Sequence, residues 1–130
     1  RALIATGSPF GQVDFKGEKI SIAQCNNALI YPGIGLGVVI AQATHLSEGM
    51  LWEASKALSR FVSQTSDTKN ALLPNFEDIH AISRCIALAV ATQARQEGLA
   101  KISESIDLAE EIDRQFWYPE YVTYQYSESL

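Results

Sequence analysis

An unbroken uncharged run from Ala28 to Ala43 carries Pro32, Gly33, Gly35, Gly37 and Gln42, and these five residues decide what it can become. A membrane-spanning helix needs about 20 consecutive apolar residues, so this run is too short and too interrupted to span. Proline has no amide hydrogen to donate and is tolerated in a helix only in the first turn. The spacing therefore predicts a helix that starts near Tyr31 to Gly33 and ends around Thr44. Each glycine inside it costs roughly 0.5–1 kcal/mol relative to alanine. Close approach to another backbone or to a ligand would offset that cost. The run reads as a buried helix built for close contact.

Upstream, Ala2 to Ala5 form a short apolar run closed by Thr6-Gly7-Ser8-Pro9, which predicts a fully buried strand. Val13, Phe15, Ile20 and Ile22 alternate around Lys16-Gly17, which predicts a small hairpin between Gln12 and Ile22. After Ala23 the pattern is helical. Ser47 is a good N-cap, Glu48 lies in the first turn, and Leu46 and Leu51 occupy the staple positions. Met50, Leu51, Ala54, Leu58, Phe61 and Val62 then repeat at helical spacing, and a polar loop covers Gln64 to Asn70. The longest helix is expected from Pro74 or Asn75 to Glu97, with Gly98 as its C′ residue and Phe76, Ile79, Ile82, Ile86 and Val90 as one stripe. A last helix takes in Ile106, Ala109, Ile112 and Phe116 and stops before Pro119. The tail from Trp117 to Tyr126 is rich in aromatic residues.

The chain has 130 residues, room for one domain, and its 47% hydrophobic and 19% charged content is that of a globular protein. A net charge of -5 argues against nucleic acid as a partner, because phosphate contacts require the opposite sign. Cys25 and Cys85 are too few and too isolated for a disulfide scaffold or a zinc site, and they suit a reducing compartment. No targeting segment is recognisable. One buried strand and one hairpin leave a sheet edge unsatisfied, so the chain is expected to be the end of a larger α/β domain.

Most of the chemically capable residues have plain structural readings. His45 lies at a helix boundary, where it reads as a capping or solvent-facing residue, and His80 sits just off the apolar stripe of the long helix, on a charged surface face. Cys25 has no cation within three positions to lower its pKa and reads as buried and inert. Gly33-Ile34-Gly35-Leu36-Gly37 lacks the spacing of a nucleotide loop. Glu110, Glu111 and Asp113 form a solvated helix face. The exception is Gln24-Cys25-Asn26-Asn27. Buried or half-buried amides must be hydrogen-bonded, and an asparagine can hold a carboxylate, a hydroxyl or a carboxamide. Capping of the following helix explains one asparagine more readily than two, so cap and ligand site stand as equal alternatives.

Ala5-Thr6-Gly7-Ser8-Pro9-Phe10, then Gln24-Cys25-Asn26-Asn27, then Tyr31-Pro32-Gly33-Ile34-Gly35-Leu36-Gly37, in that order and spacing, resemble the malic enzyme family. The likeness continues through Leu73-Pro74, Ile82-Ser83-Arg84-Cys85-Ile86-Ala87 and Phe116-Trp117-Tyr118-Pro119-Glu120-Tyr121, and it covers essentially the whole chain. Cys25, where many relatives carry glycine, is most like the NAD-linked bacterial branch. The resemblance implies oxidative decarboxylation of L-malate to pyruvate and CO2 with NAD or NADP and with Mg or Mn. It implies a cytoplasmic homo-oligomer, a dimer or tetramer, without a nucleic acid or membrane partner. The parent fold would be a Rossmann-like α/β NAD(P)-binding domain.

On that resemblance this chain is the C-terminal part of the domain plus a helical C-terminal segment. It is mainly α, with a strand and hairpin in 1–24 and about four helices in 25–130. Thr6, Gly7 and Ser8 would bind the cofactor, with Gly7 against the nicotinamide, where a side chain would block approach. Asn26 and Asn27 would reach the malate and the nicotinamide ribose or carboxamide. The family's acid Tyr, base Lys, Glu-Asp-Asp metal ligands and GxGxxG turn have no counterpart here and are expected upstream. No catalytic or metal-ligating residue is therefore expected in the chain, and by itself it is expected to be inactive. The competing reading is a non-catalytic α-helical interaction module, with the aromatic tail and the open front edge as its binding surface.

Overall fold

The computed structural model describes residues 3–65 and 72–124. The order is β1 (Ala5–Thr6), β2 (Val13–Phe15), β3 (Glu18–Ile20), β4 (Ala23–Gln24), α1 (Tyr31–Ala41), α2 (Glu48–Thr65), α3 (Ile79–Gln96) and α4 (Leu108–Gln115). Single 3-10 turns at Asn27–Leu29 and Phe76–Asp78 lead into α1 and α3. The mainly helical layout with a few short strands is the expected one. Ala2, residues 66–70 of the polar loop and Gln125–Tyr126 of the tail lie outside the described residues. Among the described residues, no helix is long and apolar enough to cross a membrane.

The hairpin forms where the alternation placed it, with Val13 opposite Ile20 and Phe15 opposite Glu18. Its two turn residues, Lys16 (φ 54°) and Gly17 (φ 79°), are both left-handed, the turn that matches the twist of two-residue hairpins. Two expectations at the front are corrected. Ala23–Gln24, for which the sequence pattern predicts no strand of its own, is not a mere link between the hairpin and the helical region. It is a strand that pairs in parallel with Ala5–Thr6, in the register Ala5 opposite Ala23 and Thr6 opposite Gln24. The expected buried strand is also displaced: Leu3 and Ile4 are 48% and 44% exposed, and the paired residues are Ala5 and Thr6. Nothing in the described chain covers that face, so the hydrophobic run stays open on one side.

The core lies between α1, α2 and α3, with α4 closing one end. Ile34, Ile40, Ala41, Met50, Ala54, Ala57, Ile82, Ile86, Ala87, Val90, Ala94, Leu108 and Ile112 form one buried cluster. Gly33 and Gly37, one turn apart on α1, face α3 so closely that a Cβ at Gly33 would lie 2.6 Å from Ile86 Cβ and 2.8 Å from the Ser83 carbonyl. At Gly37 it would lie 2.7 Å from both the Ala87 carbonyl and Val90 Cβ. The cost of these two glycines is thus offset by backbone-to-backbone packing. Gly35 points the other way, and a Cβ there would meet nothing within 4 Å. On α4 the buried residues are Leu108 and Ile112. Ala109, expected on the apolar stripe, is exposed, and Asp107 starts the helix by accepting from the Ala109 and Glu110 amides at 2.7 and 3.1 Å.

Ser47 caps α2 as its position predicts: its Oγ accepts from the Met50 amide at 3.1 Å. The same hydroxyl donates to Glu97 at the far end of α3, and Gln93 Nε2 donates to the other Glu97 oxygen at 2.9 Å. These hydrogen bonds, Gln93's first and then Ser47's, hold the Glu97 carboxyl below the ordinary glutamate range. A carboxylate depressed in the folded state stabilises above the unfolded-state pKa, and that stabilisation is lost as pH falls through the folded value. Urea unfolding of Glu97→Gln and of the parent chain, compared from about pH 7 down to about pH 3, is expected to show the largest gap near neutrality and convergence in acid. A gap that is unchanged across the series would mean the carboxylate is not the stabilising form.

Candidate functional site

Parallel strands end on the same side of a sheet, and open α/β proteins bind ligands outside those carboxyl ends. Here β1 runs into Thr6-Gly7-Ser8 and β4 into Cys25-Asn26-Asn27, so the pairing of two-residue strands brings the two sequence motifs to one edge. The Cys25 amide donates to the Thr6 carbonyl at 2.8 Å, one residue beyond the ladder, and the Ala23 amide to the Ile4 carbonyl at 3.0 Å. Thr6 Oγ1 donates to the Ser8 carbonyl at 2.8 Å, which folds the turn back on itself. Gly7 is exposed, and a Cβ there would find nothing within 4 Å. Neither packing nor backbone conformation in the described chain demands a glycine at this position.

The amides sit opposite. Asn26 is extended (φ −135°, ψ 137°), and its Oδ1 accepts from the Ala28 amide at 2.9 Å, capping the 3-10 turn. The carbonyls of Asn26 and Asn27 accept from Leu29 and Ile30 at 3.1 Å each, and Leu29, 2% exposed, pins the turn to the core. Both asparagines are exposed. Among the described residues the Asn27 carboxamide has no hydrogen-bond partner. Of the two alternatives left open by the sequence, capping accounts for one oxygen of Asn26 and for nothing on Asn27.

Cys25 is exposed rather than buried, because it follows β4 onto the open edge. Gln24, which the sequence marks only as part of its tetrapeptide, reaches the turn after β1: its Nε2 donates to the Gly7 carbonyl at 3.4 Å. It also lines a cleft of about 200 Å³ with Pro9, Phe10, Pro74 and Phe76. Only the pairing of β1 with β4 reveals that reach.

The remaining candidates fall elsewhere. His45 contacts Thr44 at 3.2 Å. His80 packs its ring 5.6 Å from both Phe116 and Tyr118, where Arg84 binds Asp113 and donates to the Tyr118 hydroxyl at 3.3 Å. Glu111 pairs with Arg114. This cluster fastens the start of the aromatic tail to α3, while Trp117, Tyr121 and Tyr124 remain exposed. Among the described residues no three His, Cys, Asp or Glu side chains gather as a metal site.

The family model described as "Malic enzyme, NAD binding domain" matches residues 1–95. The chain belongs to the malic enzyme family. The matched part of this malic enzyme segment runs from the front edge to the last turn of α3, so it contains both motifs of the site. The parallel strand pair and the helices α1, α2 and α3 lie in the matched part, which is a Rossmann-like NAD-binding domain, and α4 lies beyond it. The "NAD-dependent malic enzyme" of Pseudomonas savastanoi pv. phaseolicola is 47% identical over 124 residues, covering 95% of this chain and 22% of that protein. "NAD-dependent malic enzyme 2" of Photobacterium profundum is also 47% identical over 124 residues, with the same 95% and 22% coverage. The "NAD-dependent malic enzyme" of Idiomarina loihiensis is 46% identical over 125 residues, 96% of this chain and 22% of that protein. The malic enzyme segment thus spans 22% of the length of the curated relatives it matches.

Proposed function

We propose that this chain forms the substrate and nicotinamide edge of an enzyme that converts L-malate and NAD to pyruvate, CO2 and NADH with a divalent metal. The observation that carries the reading is the open edge itself, with an unoccluded glycine turn on one strand end and two exposed amides on the next. Its division into an NAD-binding part and a helical C-terminal segment follows the same reading. The names of the relatives support NAD as the cofactor, and NADP stands as the second possibility. A cytoplasmic homo-oligomer that acts without nucleic acid or membrane is part of the proposal.

The residues present fit a nicotinamide. A flat ring needs a wall without a side chain, and Gly7 offers one that, among the described residues, no atom fills within 4 Å of a built Cβ. When bound, NAD supplies the acceptor for the hydride that leaves C2 of malate. Asn27 orients the substrate by offering both a donor and an acceptor on one side chain. Asn26 contributes its Nδ2 hydrogens foremost, since its oxygen already accepts from the Ala28 amide. Neutral amides hold charged groups in place without adding a charge of their own. Thr6 keeps the turn closed through the Ser8 carbonyl. Among the described residues no three His, Cys, Asp or Glu side chains gather as a metal site, and the divalent metal is assigned to ligands elsewhere in the full-length protein. The proton acceptor for the malate hydroxyl also lies outside the residues named.

Malate-dependent reduction of NAD by the full-length protein, with Mg or Mn added, is the test. It is expected to proceed there and to be undetectable with the 130-residue chain alone. Pyruvate formed by the isolated chain would mean that it carries its own acid, base and metal site, contrary to this division of labour.

A further inference from the structure

We infer that Gln24 is a positioning residue for hydride transfer: its carboxamide ties the Gly7 turn of β1 to the strand that carries the two asparagines. The inference rests on the malate-and-NAD reading above and goes beyond it, because that reading gives Gln24 no part in holding either ligand.

The geometry is specific. Gln24 stands opposite Thr6 in the parallel register, so its side chain leaves β4 beside the residue that precedes the turn. From there Nε2 donates to the Gly7 carbonyl at 3.4 Å. The next carbonyl, that of Ser8, is held from within the turn by Thr6 Oγ1 at 2.8 Å. Two successive peptide oxygens of the turn are therefore met by side chains, that of Ser8 by a short local bond and that of Gly7 by a longer one from the neighbouring strand. The ladder stops at these residues, with Cys25 donating to the Thr6 carbonyl as its last backbone bond. Beyond that point, Gln24 is the side chain among the described residues that spans the two strand ends.

The turn is otherwise poorly supported. Gly7 and Ser8 are exposed, and a Cβ at Gly7 would meet nothing within 4 Å. A glycine in such a place can adopt many conformations. Hydride transfer requires donor and acceptor carbons within about 3–3.5 Å and aligned, so a wall that drifts by a fraction of that distance loses rate. Glutamine suits the task because it donates without charge. A glutamate of the same length would offer only acceptor oxygens to a carbonyl that is itself an acceptor, and would push the turn away.

The test uses the full-length enzyme with Gln24→Met, which keeps length and removes the donor, and Gln24→Glu, which reverses its polarity. Rates are measured with L-malate and with malate deuterated at C2, and the thermal midpoint of each protein is recorded. Both variants are expected to lower kcat/KM by about tenfold, with the larger loss for Glu, and to raise the deuterium isotope effect as hydride transfer becomes limiting. A residue that merely supports the fold would lower the active fraction and leave the isotope effect where it was. Folded variants with an unchanged isotope effect overturn the inference, as does failure of both to fold, which would make Gln24 a purely structural residue. Full-length wild-type protein without malate-dependent NAD reduction overturns the underlying reading instead, and this inference with it.

Discussion

Gly37→Ala is expected to destabilise the chain by about 1–3 kcal/mol, and Gly33→Ala by a similar amount. At Gly37 a new Cβ would sit 2.7 Å from the Ala87 carbonyl oxygen, and at Gly33 2.8 Å from that of Ser83. Flexible side chains can swing out of such contacts, but a helix backbone cannot. The added methyl must therefore push α1 and α3 apart along a face that also buries Ile34, Ile40, Ile82, Ile86 and Val90. Gly35→Ala provides the internal control with the opposite sign. Its Cβ would meet nothing, so the gain in helix propensity of about 0.4–1 kcal/mol should appear as added stability. Urea unfolding of the three variants, compared at constant m-value, checks both signs. If Gly33→Ala and Gly37→Ala were as stable as the parent, the close packing of α1 on α3 would be wrong. The effect also reaches the candidate site, because Leu29 and the turn that carries Asn26 and Asn27 lead directly into α1.

Where one residue type has one conformational use, the sequence is a good guide. Pro32 and the two inward glycines locate α1, Ser47 locates the start of α2, and Lys16-Gly17 locates the hairpin turn. Gly98, placed as the residue after the long helix, does adopt a left-handed φ of 68°. The family resemblance is equally legible, because it rests on whole motifs in order. The strand at Ala23–Gln24 is not legible. Two residues show no period, and such a strand exists only because Ala5–Thr6, far away in sequence, completes its hydrogen bonds. For the same reason Gln24 does not stand out, since its reach to Gly7 depends on that pairing. Cys25 reads as buried because local composition does not reveal that β4 ends on an open edge. On α4, a short helix with apolar residues at both Leu108 and Ala109, periodicity cannot choose between them, and packing buries the leucine.

Asn27→Ala in the full-length enzyme is expected to raise the malate KM or lower kcat by about tenfold or more. A hydrogen bond to a charged group contributes about 1.5–3 kcal/mol, which corresponds to roughly tenfold to a hundredfold in kcat/KM. The structure sharpens the comparison between the two neighbouring amides. Asn26→Ala removes a cap, since Oδ1 accepts from the Ala28 amide at 2.9 Å, so it should cost about 0.5–2 kcal/mol of stability whatever it does to catalysis. Asn27 makes no such bond, and its loss should leave the unfolding midpoint nearly untouched. Asn26→Asp separates the roles further: a carboxylate keeps the cap acceptor but loses the Nδ2 donors and adds a negative charge beside a dicarboxylate substrate. Steady-state kinetics and thermal unfolding on all three variants distinguish the cases. Unchanged kcat/KM in a well-folded Asn27→Ala enzyme would return this residue to the surface of a turn, and the substrate would have to be held from elsewhere. A split in which Asn27→Ala damages catalysis alone, while Asn26→Ala damages stability as well, is the pattern that one capped and one free amide on the same strand end should produce.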